Sequence, residues 1–218
     1  MLKFIHEYYY IFGLIPVIFY LIHRKRLIDK RLRVIVFLLV IGFLADVYSQ
    51  YLSIKGKPNF IVYNLFILFE TLLLLVYYFH LLSSKVYRTV IIILSTVFTL
   101  VFIYEYIKSN GSKKYLDIFA VVGNIVIIIL SIAYFFKQIS SPENLDFYKN
   151  PRFWVVSAYL IYSAGTLFLF LYISTLSMAD QQRDYILNYI FLIPKSILLS
   201  IAMFMKNTFQ TRKKFQLT

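Results

Sequence analysis

The chain is 218 residues long, with 61% hydrophobic residues, only 15% charged residues and a formal net charge of +13. This composition indicates an integral membrane protein and excludes an ordinary soluble domain, in which about a quarter of the residues are charged. The absence of cysteine excludes disulfide bonds and every site built on a thiolate.

Seven membrane-spanning helices are the elements predicted along the chain. A bilayer core about 30 Å thick requires roughly 20 apolar residues in a helix, and charged or turn-forming residues bound seven stretches of about that length. They are Glu7–Ile22, Val34–Ser53, Asn59–Leu82, Val86–Ile107, Tyr115–Phe136, Pro151–Leu176 and Tyr185–Met205. No connection between them is long enough to fold by itself. We therefore expect residues 1–218 to form a single all-α domain, a polytopic membrane helix bundle.

Two of the predicted helices begin beside a proline. Asn59 follows Pro58 and Asn150 precedes Pro151, so each asparagine side chain is expected to cap the free amides of the helix that follows. Proline suits the first helical turn because the amide that it lacks would have no partner there. The third and sixth helices are therefore predicted to start at these positions.

The orientation follows from lysine and arginine, which are enriched in the cytoplasmic loops of membrane proteins. One side of the predicted bundle holds 15 of the 23 basic residues and the other holds seven, while Lys195 lies inside the last helix. The larger set is Arg24, Lys25, Arg26, Lys30, Arg31, Arg33, Lys85, Arg88, Lys137, Lys149, Arg152, Lys206, Arg212, Lys213 and Lys214, and the smaller set is Lys3, Lys55, Lys57, Lys108, Lys113, Lys114 and Arg183. We predict an external N-terminus and a cytoplasmic C-terminus.

The first cytoplasmic loop has the densest positive charge. Its run His23–Arg33 holds six lysines and arginines between two spans, where basic side chains attract anionic lipid headgroups. The cytoplasmic charge is spread over several loops and the tail, so a nucleic acid is not expected as a partner. The expected partners are the lipid bilayer, with anionic headgroups at the basic face, and a cytoplasmic protein. A homo-oligomer is a further alternative.

Three ionisable residues, Asp46, Glu70 and Lys195, are predicted to lie near the middle of the membrane. Glu70 and Lys195 are each about 11 or 12 residues from the outer end of their helices, roughly 16–18 Å at 1.5 Å per residue. At this common depth they can neutralise each other if their helices are neighbours, a condition that the sequence does not establish. Asp46 lies at or slightly outside the middle of the second helix and can join them. Such residues usually face the bundle interior and mark functional sites.

Three asparagines, Asn64, Asn124 and Asn188, lie in the outer halves of the third, fifth and seventh helices. The outer half is therefore the more polar half, which predicts an outward-facing cavity. The candidate ligand-binding residues are Asp46, Asn64, Glu70, Asn124, Asn188 and Lys195. Two interpretations stay open: these groups bind a small ligand or a proton, or they only satisfy one another through hydrogen bonds and a buried ion pair.

No catalytic site, metal site or cofactor is predicted. The three histidines, His6, His23 and His80, lie near the ends of predicted helices, so they do not form an intramembrane metal cluster. The chain contains no HExxH, GxSxG, P-loop or GxGxxG pattern. A lysine in the last of seven helices could carry retinal as a Schiff base, but the motifs that surround it in retinal proteins are missing around Lys195.

Two stretches carry a resemblance to known proteins. They are Asn150-Pro151-Arg152-Phe153-Trp154 and Tyr63-Asn64-Leu65-Phe66-Ile67-Leu68-Phe69-Glu70. They resemble a group of small, uncharacterised bacterial seven-helix membrane proteins in which N-P-x-F-W and Y-N-x-F-x-x-x-E recur. The layout is also similar to the membrane sensing regions of bacterial signalling proteins, although no kinase or other output domain is recognised in these residues. The resemblance implies the bacterial inner (cytoplasmic) membrane and adds weight to Asn64 and Glu70.

The expected function is that of a non-enzymatic sensor or accessory protein whose outer-half cavity binds a small ligand or a proton. Rearrangement of Glu70 and Lys195 would change a bend at Pro194, which lacks a helical amide, and so move the cytoplasmic ends. One alternative is an oligomeric pore-forming or accessory membrane effector of a bacterial antiviral defence system. Another is an intramembrane lipid-modifying enzyme with Asp46 and Glu70 as acid and base.

Overall fold

Seven α-helices occur in the part of the chain that the structure describes. The computed structural model describes residues 2–23, 29, 31–109, 116–140, 147–173 and 187–205. The helices are α1 (Leu2–His23), α2 (Leu32–Ile54), α3 (Phe60–Leu81), α4 (Lys85–Lys108), α5 (Asp117–Ile139), α6 (Pro151–Ile173) and α7 (Leu187–Phe204), and a 3-10 turn at Phe147–Lys149 precedes α6. No strand occurs in the described residues, which confirms the all-helical class.

Five helices, α2 to α6, are long and apolar enough to cross a membrane. Their most apolar windows have mean hydropathies between 1.7 and 2.6. In α1 and α7 the apolar stretches within the described residues are shorter, Ile11–His23 and Ile190–Phe204. The five central helices therefore indicate an integral membrane protein, while the count of seven spans and the orientation stay predictions.

Six of the helices form a closed ring. Around it, α1 packs against α2, α2 against α3, α3 against α5, α5 against α6, α6 against α7, and α7 against α1. The remaining helix, α4, packs on α3 and α5 outside this ring. Every residue of α4 is described, and only Ile91 and Phe98 are buried, so most of this apolar helix faces outward. An apolar exterior of this kind suits lipid, since a water-soluble monomer rarely exposes large apolar patches.

Successive helices run in alternating directions, so their ends collect in two layers. In one layer an ion pair joins Asp29, just before α2, to Arg152 at the start of α6. In the same layer the rings of His23 and Phe204 are in contact, at the ends of α1 and α7. We name this layer the basic end after its cations, which are Arg31, Arg33, Lys85, Arg88, Lys137, Lys149 and Arg152.

One of the two predicted asparagine caps is confirmed. The backbone amide of Arg152 donates to Asn150 Oδ1 at 3.1 Å, so Asn150 caps α6 beside Pro151. The other prediction is wrong, because Asn59 makes no side-chain cap at the start of α3. Its Nδ2 instead donates to Ser49 Oγ at 2.8 Å, since the neighbouring helix α2 offers a buried hydroxyl. Asn59 therefore ties α3 to α2.

Candidate functional site

An ion pair lies inside the bundle. Lys195 Nζ is 2.8 Å from Glu70 Oε1, and the contact joins α7 to α3 across the ring. The two side chains are almost fully buried, with 6% and 12% of their surfaces exposed. Taking both charges out of water is costly, and their attraction offsets the cost only in good geometry. The structure confirms that the two residues pair, which their equal depths allowed and which depended on how their helices pack.

Two tyrosine rings of α6 flank the ammonium group of Lys195. Its Nζ lies 3.9 Å from the centre of the Tyr162 ring and 4.6 Å from the centre of the Tyr159 ring. A cation over an aromatic face gains about 2 kcal/mol when water is excluded. The ammonium therefore has favourable neighbours besides Glu70.

A small cavity with a partly polar wall adjoins the ion pair between α3, α5 and α6. Its volume is about 40 Å³. The side chains that bring polar atoms to its wall are Glu70, Thr71, Asn124, Tyr159, Tyr162 and Ser163. Pockets for organic ligands usually measure about 300–1,000 Å³, whereas a water molecule needs roughly 10–15 Å³. The cavity therefore suits a few water molecules or one small ion.

Five buried polar atoms find no hydrogen-bond partner among the described residues, and we name them the orphan atoms. They are Tyr77 Oη, Asn124 Nδ2, Tyr134 Oη, Tyr159 Oη and Asn188 Oδ1. A buried polar atom without a partner costs about 1–3 kcal/mol, and a water molecule in a polar cavity removes this cost. The direct contact between Glu70 and Lys195 fits a purely structural role. The orphan atoms of Asn124 and Tyr159 in the adjoining cavity wall instead favour a site for water or an ion.

Asn64 takes part in a different contact. It is fully buried, and its Oδ1 accepts a hydrogen bond from the amide of Leu116 at 3.2 Å. Leu116 immediately precedes α5, so Asn64 satisfies an amide at the start of that helix. Glu105, at the end of α4, acts in the same way, since its Oε2 accepts from the amide of Phe119 at 2.8 Å. The sequence placed Asn64 in the candidate site, whereas the structure shows it holding the start of α5.

We expect Asn64→Ala to lower the free energy of unfolding by about 1–3 kcal/mol, the usual cost of leaving a buried amide without its hydrogen-bond partner. Because Asn64 does not belong to the described wall of the cavity, any response that depends on Glu70 should persist in this variant. Unfolding of the purified protein in mixed detergent, followed by circular dichroism, measures the change. An unfolding free energy equal to that of the wild type would contradict this role of the Asn64 hydrogen bond.

The other predicted site residues are only partly brought together. Asn124 lies in the cavity wall, and its Oδ1 accepts a hydrogen bond from Thr166 Oγ1 at 3.3 Å. Asn188 is seven residues before Lys195 on α7, so both lie on one helix face about 10 Å apart. Asp46 is half-buried on α2. Neither Asn188 nor Asp46 is among the described residues of the cavity wall.

Tyr159 and Tyr162 were not among the site residues predicted from the sequence. They are three residues apart on α6 and therefore share a helix face. Counted from the basic end, they lie 8 and 11 residues into α6, while Lys195 lies nine residues before the end of α7. The sequence alone therefore indicates that the two tyrosines and Lys195 lie at similar distances from the basic end. The contact itself depends on α6 packing against α7, which no local pattern indicates.

A second buried ion pair lies at the basic end. Arg152 Nε is 2.6 Å from Asp29 Oδ2, and the two side chains are 25% and 5% exposed. The other carboxylate oxygen of Asp29 accepts a hydrogen bond from the amide of Arg31 at 3.1 Å. Asp29 therefore holds the starts of α2 and α6 together. The rest of the run His23–Arg33, which is predicted to bind anionic headgroups, lies largely outside the described residues.

A scan against models of protein families, a search of curated proteins and a search of solved structures each found no match to the chain. The resemblance to bacterial seven-helix proteins stays a prediction. The function of this chain is therefore inferred from the geometry of the central ion pair and its surroundings.

Proposed function

We propose that this chain is a non-enzymatic seven-helix membrane protein with a sensory or accessory role, and that its central site responds to protonation of Glu70. The observation that carries the proposal is the position of Lys195 between a carboxylate and two tyrosine rings, beside a cavity of about 40 Å³. A cavity of that size favours a proton, with water, over the organic ligand that the sequence also allowed.

Protonation of Glu70 would remove one charge from a buried pair. Lys195 would keep the two tyrosine rings, so the site would not be left with an unsupported cation. The link between α3 and α7 would weaken, while the link between α7 and α6 would remain. Pro194, immediately before Lys195, lacks the amide that stiffens a helix. A change of pairing would therefore bend α7 at this point and move the basic end.

The proposal places the basic end in the cytoplasm and the protein in the bacterial inner membrane. Support comes from the division of basic residues, 15 on one side of the predicted spans and seven on the other. The basic end would contact anionic lipid headgroups, and a partner protein there would receive the signal.

Trp154 offers a built-in reporter for a test, because it is the only tryptophan in the chain. It lies in the first turn of α6 at the basic end, and its Nε1 donates to the carbonyl of Tyr148 at 2.8 Å. On acidification of the protein in lipid nanodiscs, we expect a reversible change in Trp154 fluorescence. In Glu70→Gln the fluorescence should stay at the acidic value at every pH, because glutamine resembles a protonated glutamate.

Glu105→Gln is the matched control. It neutralises a carboxylate of similar burial that holds the start of α5 and lies outside the cavity wall. The fluorescence response should survive in this variant. The same pH response in the wild type and in Glu70→Gln would show that Glu70 is not the responding group, and the proposed function would be wrong.

A further inference from the structure

Three orphan hydroxyls lie in the part of the bundle between the two buried ion pairs. They belong to Tyr159 on α6, Tyr77 on α3 and Tyr134 on α5, and each of these residues is only 1% exposed. None of the three hydroxyls forms a hydrogen bond with Glu70 or Lys195. Three neighbouring helices therefore each bury a hydroxyl for which the described chain offers no partner.

The register of the helices sets these hydroxyls in order along the bundle. Seven residues separate Glu70 from Tyr77 on α3, and seven separate Tyr159 from Arg152 on α6. Residues seven apart share a helix face and lie about 10 Å apart along the axis. On both helices, then, one face carries a polar group of the central site and another polar group nearer to the basic end.

Packing brings the three tyrosines together, because all of them belong to one cluster of buried side chains. Within it, Tyr159 lies near Glu70, Tyr162, Tyr78 and Tyr77. Tyr77 lies near Tyr134, Tyr78 and the Asp29–Arg152 pair, and Tyr134 lies near that pair as well. The series therefore begins at the central ion pair and finishes at the ion pair of the basic end, where Arg152 is 25% exposed.

We infer that the hydroxyls of Tyr159, Tyr77 and Tyr134, with water molecules between them, form a proton path from Glu70 to the Asp29–Arg152 pair. This inference rests on the proposed function, because it supplies the route by which the proton reaches the central site. The basic end would then set the protonation state of a group buried inside the bundle.

Tyrosine hydroxyls suit this task because each can accept a hydrogen bond while donating one. In a transfer toward Glu70, a hydronium ion at the basic end gives its proton to the first oxygen of the series. Each oxygen then forms one O–H bond and breaks another, passing a proton to the next. The net change is one proton gained by the Glu70 carboxylate and one lost by the hydronium ion, and every hydroxyl is restored.

The charged and titratable groups on the elements around Glu70 bear on its protonation. They include Lys195 on α7, Tyr159 and Tyr162 on α6, Asp46 on α2, Glu105 on α4 and Tyr134 on α5. The residue of α5 in the cavity wall beside Glu70 is Asn124, which does not titrate in this range. Lys195 makes the 2.8 Å contact with the carboxylate, and Glu105 is occupied by the amide of Phe119. At the other end of the path, the charged groups are Asp29 and Arg152.

Infrared difference spectroscopy after a rapid pH drop tests the path in nanodiscs. The wild type should develop the carbonyl band of a protonated carboxyl, and Glu70→Gln should lack that band. In Tyr77→Phe and Tyr134→Phe, the band should reach the same final amplitude but appear about tenfold more slowly, the factor expected for a modest rise in barrier. In Tyr159→Phe, which also alters the cavity wall, the band should appear more slowly as well. Tyr104→Phe, which alters an exposed tyrosine of α4, should match the wild-type rate.

The possible results separate the two proposals. A band that depends on Glu70 but appears at the wild-type rate in all three phenylalanine variants would overturn the proton path and leave the proposed function standing. The absence of any band that depends on Glu70 would overturn both. The phenylalanine variants should fold, because they remove hydroxyls that make no bond to the described chain, and their circular dichroism verifies this.

Discussion

Replacing Lys195 with methionine is expected to lower the free energy of unfolding by about 3–5 kcal/mol, the usual cost of removing one partner from a buried ion pair. Methionine fills a similar volume, so the loss comes from charge rather than packing. Glu70 would be left almost fully buried without its cation, whose Nζ lies 2.8 Å from its Oε1. Reversible unfolding in mixed detergent, followed by circular dichroism, measures the loss.

The double variant Glu70→Gln/Lys195→Met separates a structural role from a functional one. Because it removes both charges, its stability should return to within about 1 kcal/mol of the wild type, as in other buried pairs replaced by neutral side chains. The fluorescence response of Trp154 to acid should nevertheless be absent. A stable double variant that still responds to pH would mean that the ion pair only supports the fold.

Replacing Gly165 with alanine is expected to destabilise the protein by about 1–3 kcal/mol, the range observed when a methyl group is forced into a packed interface. A Cβ at this position would overlap the ring of Phe191 on α7. The glycine therefore sets how closely α6 and α7 approach. Phe191 is four residues before Lys195, so displacement of its ring would also disturb the contact between Lys195 and the tyrosine rings.

Gly13→Ala is the matched control for this prediction. Gly13 also lies within a helix, and no described atom stands within 4 Å of a Cβ built there. Because alanine favours helix over glycine by about 1 kcal/mol, this variant should be as stable as the wild type or more so. Phe191→Leu should recover part of the stability lost in Gly165→Ala by making room for the methyl group. Equal stability of Gly165→Ala and Gly13→Ala would contradict the close approach.

Much of the local structure was predictable, because it depends on residues that are near one another in the chain. Long apolar stretches require helices in a membrane, since no other element satisfies its own backbone hydrogen bonds there. The cap at Asn150 follows from the same local chemistry. The failed cap at Asn59 shows the limit of such reasoning, because its side chain bonds Ser49 on another helix.

The site was predictable only in outline. Equal depth indicated that Glu70 and Lys195 could pair, and the cost of burying charge made the pairing favourable. The sequence did not separate Asn64, which holds the start of α5, from Asn124, which lines the cavity. Both are asparagines in the outer halves of predicted helices, and their roles differ only through the neighbours that they meet.

The sequence by itself therefore determined the all-helical class, the membrane character and the position of each polar group along its helix, because hydropathy and rise per residue act along one helix. The tertiary structure alone decided which helices are neighbours. That choice depends on how side chains of distant segments fit together, as at Gly165 and Phe191, and it creates the tyrosine contacts of Lys195 and the cavity beside Glu70.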